Sequence, residues 1–247
     1  MHKILIEDLN CVIMAYVEEG NMRLFYSPYI AIIGDIKESR KLKNRNNVQN
    51  KLKAVLSKIN QKYESVISAK FTITLGDEFQ GLLCVGENVI DIIEEIRREM
   101  SPVQIRFGIG VGEITTDINS DMALGADGPG YYKAREAIEM LKRNEQKSKT
   151  QASDIRIEIE DDRSSVTAML NTIFSLMAVI QNNWSDRQRE IIWEFDKNKG
   201  SQSECAERMK ISQSSVQRSL VNGNYYAYKE AKDTVNSVLR EIGEVRV

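Results

Sequence analysis

The sequence predicts an α+β protein in which a ferredoxin-like or palm domain is followed by an all-helical domain. From residue 29, apolar runs with strand periodicity alternate with helical segments in the order β-α-β-β-α-β. A strictly alternating segment at 154–160 predicts an edge strand, and beyond residue 184 the pattern is helical only. We therefore expect four parts: an extension of unassigned role (1–28), the palm domain (29–162), a connecting helix (163–183) and a helix-turn-helix domain (184–247).

The palm domain begins with a continuous apolar run from Tyr29 to Gly34, which is typical of a buried strand. Pro102 marks the boundary between the last helix and the last strand of the predicted order. The elements between them follow from their hydrophobic periods. They are a helix over 46–63, a hairpin over 69–85, a helix over 87–100 and a strand over 104–111.

Two Gly-Asp pairs stand where predicted strands end. One is Gly34-Asp35, and the other is Gly76-Asp77 at the hairpin tip, which Glu78 follows directly. Strand-end aspartates that lie side by side could bind Mg²⁺ and a nucleotide triphosphate. Turn chemistry alone also favours Gly-Asp, so a purely structural role is the alternative.

A glycine-rich turn at 125–130 leads directly into a predicted helix over 131–140. Free backbone N–H groups at a helix start suit a phosphate, so we expect Gly128 and Gly130 to lie beside one. The glycine spacing matches neither a P-loop nor a dinucleotide fingerprint. Four basic side chains would neutralise the phosphate charge: Lys37, Arg40, Lys133 and Arg135.

The connecting helix at 164–181 carries apolar residues at three- and four-residue spacing. This pattern favours a helix that packs against its own domain. A dimer seam, and hence a homodimer, is the less favoured alternative because the stripe is short for a coiled coil.

The segment 203–220 has the spacing of a helix-turn-helix. The small Ala206 lets two helices cross closely, Ile211 fills the turn, and Ser212 caps the second helix. Val216 and Leu220 would anchor the second helix inward. These positions predict the packing of the motif without deciding its partner.

The outward positions of this segment carry residues suited to groove edges and phosphates. No acidic residue occurs between Glu207 and Glu230, so the element is locally basic although the whole chain has a net charge of -2. Duplex DNA is the expected partner. An ordinary three-helix bundle and a protein-contact role are the alternatives. The candidate DNA-binding residues are Lys210, Ser214, Ser215, Gln217 and Arg218.

Composition excludes some classes of function. The only histidine is His2, so a Ser-His-Asp hydrolase is excluded. The three cysteines are far apart and show no metal-binding spacing, which fits a reducing cytoplasm. The apolar stretch Cys11–Val17 is far shorter than the roughly 20 residues that span a bilayer, so no membrane insertion is expected.

Three of the segments described resemble the SatD family, and the resemblance runs from about residue 29 to the C-terminus. The segments are 32–40, 71–82 and 125–135. The palm is more distantly similar to class III nucleotidyl cyclases and diguanylate cyclases, whose palm domains use two metals. That similarity implies Mg²⁺ or Mn²⁺ held by Asp35, the backbone carbonyl of Ile36 and Asp77, with Glu78 beside them.

The similarity to cyclases is incomplete. Arg135 matches the cyclases' transition-state arginine and is the candidate catalytic residue, but Tyr131 stands at the place of their asparagine. Lys37 replaces the second aspartate of the Asp-x-Asp strand end of diguanylate cyclases.

The leading hypothesis is a cytoplasmic transcription-type regulator. Its palm would bind a nucleotide triphosphate or nucleotide signal with Mg²⁺, and its helix-turn-helix would bind DNA. The alternative is an active nucleotide cyclase or nucleotidyltransferase with two metals at Asp35 and Asp77. A third reading is an interaction protein with a degenerate palm.

Overall fold

The computed structural model describes residues 2–8, 11–18, 21–25, 28–147, 153–160, 164–198 and 200–243. The N-terminal extension contains an antiparallel three-stranded meander. Its strands, in spatial as in chain order, are β1 (His2–Asp8), β2 (Cys11–Glu18) and β3 (Asn21–Phe25).

The palm domain is built on a second sheet of five strands. These are β4 (Tyr29–Ile36), β5 (Ile67–Leu75), β6 (Glu78–Leu83), β7 (Ile105–Gly112) and β8 (Ile155–Ile159). Their spatial order is β5-β6-β4-β7-β8, with only β7 and β8 parallel. Helix α1 (Arg45–Lys62) follows β4 and helix α2 (Val89–Met100) follows β6. The predicted β-α-β-β-α-β order and α+β class are therefore observed.

The two faces of this sheet pack against different helices. Ile30 and Ile32 of β4 join the apolar core that contains α1 and α2. Ala31 and Ile33 pack instead under α3 (Pro129–Lys147), on the opposite face. Because side chains alternate along a strand, Asp35 lies on the α3 face.

Helix α3 approaches β7 closely because β7 has glycine at alternate positions. A Cβ at Gly108 would lie 2.3 Å from the Ala134 carbonyl oxygen, and one at Gly110 would lie 2.0 Å from the Gly130 carbonyl oxygen. The helix also continues seven residues past the predicted end at Met140, and Leu141 in that extra stretch is buried. The glycines thus fix where the side chains of α3 stand over the sheet.

At each edge of the five-stranded sheet, an asparagine side chain forms two hydrogen bonds with the backbone of one edge-strand residue. Asn60 of α1 accepts from the Phe71 N–H at 2.7 Å and donates to the Phe71 carbonyl at 3.0 Å. Asn171 makes the same pair of bonds, each 2.9 Å, with Ile157 of β8. These amides satisfy backbone groups that an edge strand would otherwise expose to pairing with another chain.

Five helices follow the sheet: α4 (Ser164–Asn182), α5 (Asp186–Asn198), α6 (Gln202–Met209), α7 (Gln213–Asn222) and α8 (Tyr225–Gly243). Ser201 forms a capping box with Glu204 at the start of α6, and the Ser212 hydroxyl accepts from the Ser215 N–H at the start of α7. Lys210, between these helices, is left-handed with φ 53°. Helices α6 and α7 lie where the sequence predicts the two helices of the motif.

The helical part shares a core with the palm. Leu239 and Ile242 of α8 are buried in the same cluster as α1 and α2. A Cβ at Gly86 would lie 1.9 Å from the Leu239 carbonyl oxygen, so α8 and the end of the palm hairpin are in direct backbone contact. The C-terminal helices are therefore docked on the palm.

Helix α4 is the one helix of the described ranges that is long and apolar enough to cross a membrane, with a mean hydropathy of 1.4. Leu170, Phe174 and Met177 are buried in the shared core, which makes α4 a packed helix of the fold. Its outer side exposes Met169, Leu176 and Val179. The dimer seam remains an untested alternative.

Candidate functional site

Eight charged side chains, three of which belong to α3, meet at one end of the five-stranded sheet. The backbone register pairs Asp35 with Glu78 on one side and with Arg106 on the other, so three charged residues form a row across β6, β4 and β7. Helix α3 places three more above the row, at spacings of seven and three residues that share one helix face. We call the set the charged cluster: Asp35, Lys37, Glu78, Arg106, Arg135, Lys142, Glu145 and Asp154.

Asp35 is buried, and both of its carboxylate oxygens are held by basic side chains. The Arg106 Nη1 donates to Oδ2 at 2.6 Å, and the Lys142 Nζ donates to Oδ1 at 2.9 Å. Arg106 also binds Glu145 through Nε at 3.0 Å and Nη2 at 2.6 Å. Burial opposes the charged guanidinium, but the hydrogen bonds to Glu145 and Asp35 outweigh it and raise the pKa of Arg106.

The other carboxylates of the cluster are paired as well. Arg135 binds Glu78 with both terminal nitrogens, the Nη2–Oε1 distance being 2.6 Å. Lys37 contacts Glu145 at 2.7 Å and also pairs with Asp154. Four acidic and four basic side chains therefore balance one another.

The structure brings only part of the predicted metal-ligand set together. Asp35 and Glu78 are cross-strand neighbours. The Ile36 N–H donates to the Asp77 carbonyl at 2.9 Å, so Asp77 lies beside the end of β4. The Asp77 carboxylate, however, accepts from the Ser39 hydroxyl and has no partner in the charged cluster.

The predicted Mg²⁺ or Mn²⁺ does not fit this arrangement. The described residues contain no group of three or more His, Cys, Asp or Glu side chains arranged to hold a metal ion. Both oxygens of Asp35 and both of Glu78 already accept from cationic groups. A divalent ion would have to displace these cations, whose charge repels it.

The expectation of free N–H groups at the start of α3 is wrong. The Gly130 N–H donates to the Glu113 carbonyl at 3.0 Å, and the Tyr131 N–H donates to the Gly128 carbonyl at 3.0 Å. Gly128 has φ 150°, and a Cβ there would lie 2.7 Å from the Glu113 carbonyl oxygen. Gly128 therefore permits tight loop packing, and the N–H groups of Gly130 and Tyr131 are already used.

The remaining predicted nucleotide-binding residues are spread over the α3 face and the loop after β4. Lys37 and Arg135 belong to the charged cluster. Lys133 is half-buried and pairs with Glu136 on α3 at 3.0 Å. Arg40 is exposed in a short 3₁₀ turn (Ser39–Lys41). Arg135 is 42% exposed, so a ligand in solution can reach it.

Sequence reasoning missed Arg106, Lys142, Glu145 and Asp154. Arg106 requires the sheet order, because only the β4–β7 register sets it opposite Asp35. Lys142 and Glu145 lie beyond the predicted end of α3. The spacing of residues 135, 142 and 145 on one helix face is the signal that could have found them.

The outward side of α7 exposes three of the predicted DNA-binding residues: Ser214, Gln217 and Arg218. Lys210 is exposed just before the helix. Within the described chain, neither Arg218 nor Lys210 has an ion-pair partner. Ser215 is half-buried, and its hydroxyl lies 2.8 Å from the Ser212 hydroxyl at the cap, which the Ser214 hydroxyl also contacts at 2.9 Å. We call Lys210, Ser214, Gln217 and Arg218 the α7 face.

A second set of polar residues, which are buried or half-buried, lies where α2 meets α4, α5 and α8. The Arg97 Nη1 donates to Glu94 and to the Gln181 Oε1, both at 2.8 Å, and the Gln181 Nε2 donates to the Tyr228 hydroxyl at 2.9 Å. The Lys232 Nζ lies 2.9 Å from Asp91 and 3.1 Å from Asp196. We call this set the junction: Asp91, Glu94, Arg97, Gln181, Asp196, Tyr228 and Lys232.

Electrostatics within the junction keeps its basic groups charged and its phenol neutral. Burial opposes the charge on Lys232, but attraction to Asp196 and Asp91 outweighs it and raises the pKa of Lys232. Burial, followed by the charge of Glu94, raises the pKa of the Tyr228 hydroxyl. The palm is thus joined to the C-terminal helices by paired charges.

Comparison with known proteins identifies a family. A family model described as SatD family matches residues 29–239, from the first residue of β4 to Leu239 in α8. A solved guanylate cyclase domain of RhGC from Catenaria anguillulae, in complex with GTP, is similar at 16% identity. The match covers 45% of this chain and 72% of that chain with a TM-score of 0.31, which is too low to carry an argument about the site. No functionally curated protein matches.

Proposed function

This chain belongs to the SatD family, and we propose that it is a cytoplasmic DNA-binding regulator whose palm domain binds a nucleotide. In this proposal α6 and α7 bind duplex DNA. The charged cluster receives the phosphates of a nucleotide triphosphate or nucleotide signal, and the junction links the two sites.

The observation that carries the DNA proposal is the α7 face. It offers two cations with no ion-pair partner among the described residues, together with two exposed hydrogen-bonding side chains, and no carboxylate occurs on α7. Arg and Lys contacts to phosphates supply most of the affinity of proteins for DNA, and side chains such as Gln read base edges. The capped start of α7 and the small buried Ala206 of α6 fit the packing of a helix-turn-helix.

The nucleotide proposal is supported by the way Arg135 binds Glu78. The guanidinium holds a carboxylate through two nitrogens, and a phosphate can accept from the same fork. Lys142, which is 43% exposed, and Lys133 stand on the same helix. A nucleotide phosphate would therefore compete with the Glu78 carboxylate for Arg135. The cations that neutralise the phosphate would be these three side chains of the protein.

The junction supports regulation because it joins α2 of the palm to α4, α5 and α8. Helix α8 follows α7 after only Gly223 and Asn224. Because these contacts are costly to break, a movement of α2 on nucleotide binding would carry α8 with it and would be passed through α8 to α7.

The alternative of a nucleotide cyclase or nucleotidyltransferase has less support. It requires two ions at Asp35 and Asp77. Arg106 and Lys142 hold the oxygens of Asp35, and Ser39 binds the carboxylate of Asp77.

The test uses the full chain, because α8 is docked on the palm. Binding to a fluorescent duplex of mixed sequence is measured by anisotropy over a range of salt concentrations, with and without each NTP. The double variant Lys210→Ala with Arg218→Ala should bind more weakly, and its salt dependence should flatten by about 0.9 units of slope per lost phosphate contact. The matched control removes two exposed lysines of α1, Lys53→Ala with Lys58→Ala, and should bind as the parent does.

Two outcomes would contradict the proposal. One is a parent protein with no salt-sensitive affinity for duplex DNA at low ionic strength, with or without nucleotide. The other is an equal loss in the α1 control, which would show that binding follows net charge and not the α7 face. Either result would favour a protein-contact role for α6 and α7.

A further inference from the structure

We infer that Arg106 and Lys142 replace a divalent cation at the palm, so that its strand-end carboxylates carry no resident metal. This inference rests on the charged cluster alone. It stands whether or not the α7 face binds DNA and whether or not the palm binds a nucleotide.

The first step is the occupancy of Asp35. Its two oxygens accept from two different cations at 2.6 and 2.9 Å. The carboxylate and the Arg106 side chain are about equally secluded, at 9% and 12% exposure. A metal ion needs oxygens whose negative charge is available, and here that charge is compensated by the protein itself.

The second step is that Arg106 is held in place from two directions. The β4–β7 register fixes its backbone opposite Asp35. Its Nε and Nη2 are bound to Glu145, which Lys37 holds in turn. An ion that displaced Arg106 would also leave Glu145 short of a partner, so the network as a whole opposes exchange for a metal.

The third step is that the described residues offer no group of three or more acidic, histidine or cysteine side chains arranged to hold an ion. Glu78 is bound by both terminal nitrogens of Arg135, and Asp77 accepts from Ser39. With four cations against four anions, the cluster lacks the excess negative charge that attracts Mg²⁺ or Mn²⁺. A phosphate ligand would therefore meet guanidinium and ammonium groups, and its binding would not respond to a chelator.

The experiment measures Mn²⁺ binding to the full-length protein through the relaxation of water protons, without nucleotide or DNA. The parent should bind no Mn²⁺ up to about 1 mM, the weak end of protein sites for hard cations. The double variant Arg106→Ala with Lys142→Ala frees both oxygens of Asp35 and leaves Glu145 with Lys37 as its partner. It should gain Mn²⁺ affinity by about tenfold or more, since each removed cation had disfavoured the ion.

Adding Asp35→Asn to the double variant should abolish the gain. Lys142→Ala alone is a second route if the double variant fails to fold, because this lysine lies at the surface, and it should show a smaller gain of the same sign. The inference is overturned if the parent binds Mn²⁺ in the micromolar range and Asp35→Asn abolishes that binding. It is also overturned if a well-folded double variant gains no affinity. Neither result bears on DNA binding.

Discussion

The charged cluster and the junction are built from the same kinds of residue, yet they differ in exposure. In the junction, the Lys232 side chain is 7% exposed and lies between two carboxylates on different helices. In the charged cluster, Arg135 and Lys142 are each more than two fifths exposed, although their carboxylate partners are buried. The shared cation of the junction is therefore secluded, although Asp91 is 38% exposed, whereas Arg135 and Lys142 of the charged cluster are open to water.

This difference indicates different roles for similar contacts. A buried charge cannot lose its partner without a large cost, because no water replaces it. A partly exposed cation can be solvated or can bind an incoming phosphate when it leaves its carboxylate, so the cost of exchange falls on the buried carboxylate alone. The junction is therefore suited to hold the palm and helices in one arrangement, and the charged cluster is suited to exchange partners.

The largest effect is expected at Lys232. Lys232→Ala leaves Asp91 and Asp196 without their shared cation, and should lower the free energy of unfolding by about 3 to 5 kcal/mol. Lys229→Ala is the matched control, since Lys229 is on the same helix and forms an exposed pair with Asp233. That variant should lose about 0.5 kcal/mol or less.

Urea unfolding of both variants at neutral pH provides the measurement. The raised pKa of Lys232 means that its contribution is complete below the unfolded value of about 10.4 and is lost only as the pH rises through the folded value. Equal losses for Lys232→Ala and Lys229→Ala would show that the junction is no more than a surface pair, and the comparison would fail.

An intermediate effect is expected at Glu78. Glu78→Gln keeps the shape of the side chain but removes the charge that holds Arg135. Nucleotide affinity should therefore rise, by about tenfold if the competition is worth about 1.4 kcal/mol. Glu158→Gln, which affects the Arg156–Glu158 pair on β8, is the control and should leave affinity unchanged.

Titration calorimetry with ATP and GTP would measure these affinities. Combining Glu78→Gln with Arg135→Ala should remove the gain, because the freed guanidinium is the proposed phosphate partner. If nucleotide affinity still rises when Arg135→Ala is present, the phosphate binds elsewhere. The proposed exchange of Glu78 for a phosphate at Arg135 would then be wrong.

Hydrophobic periodicity was enough to predict most of the fold, because the helices of the palm bury one face each and strand β4 is a continuous apolar run buried on both faces. The apolar residues of the β4 run and of the α1 stripe are buried as their sequence pattern predicts. Ile30, Ile32, Leu52 and Leu56 are examples. The docking of the C-terminal helices on the palm could not be predicted from periodicity. The contact of Gly86 with Leu239 joins residues far apart in the chain, and no local pattern contains it.

The site was harder to predict because it depends on pairing across elements. Asp35 of the first Gly-Asp pair lies in the charged cluster and Asp77 of the second lies beside it, but neither pair indicates that Arg106 stands opposite Asp35. The glycine-rich turn predicts free N–H groups, whereas the Glu113 carbonyl accepts from the Gly130 N–H and the Gly128 carbonyl accepts from the Tyr131 N–H. In both cases the sequence motif indicated where polar groups lie. The partners of those groups come from other strands, helices or loops, and these partners determine what the groups can bind.

The smallest effect on stability is expected from Glu145. Its dependence on pH should differ from that of Lys232. Burial opposes ionisation of Glu145, but hydrogen bonds from Arg106 and Lys37 outweigh it and lower the pKa. A carboxyl whose folded pKa is depressed stabilises the protein above its unfolded pKa, about 4.3 for Glu, and loses that contribution as the pH falls through the folded value. Because the pair is partly exposed, the contribution should be about 1 kcal/mol or less.

Glu145→Gln should therefore be less stable than the parent at pH 7, and the gap should narrow as the pH is lowered to 4 and below. Urea midpoints at a series of pH values would show this, with Glu207→Gln on the exposed side of α6 as the control. A gap that stays constant with pH would mean that Glu145 acts by packing alone. The gap from Lys232→Ala should persist over pH 5 to 8, because the contribution of Lys232 is lost only in alkali, so the ion pairs of the two sets should weaken at opposite ends of the pH range.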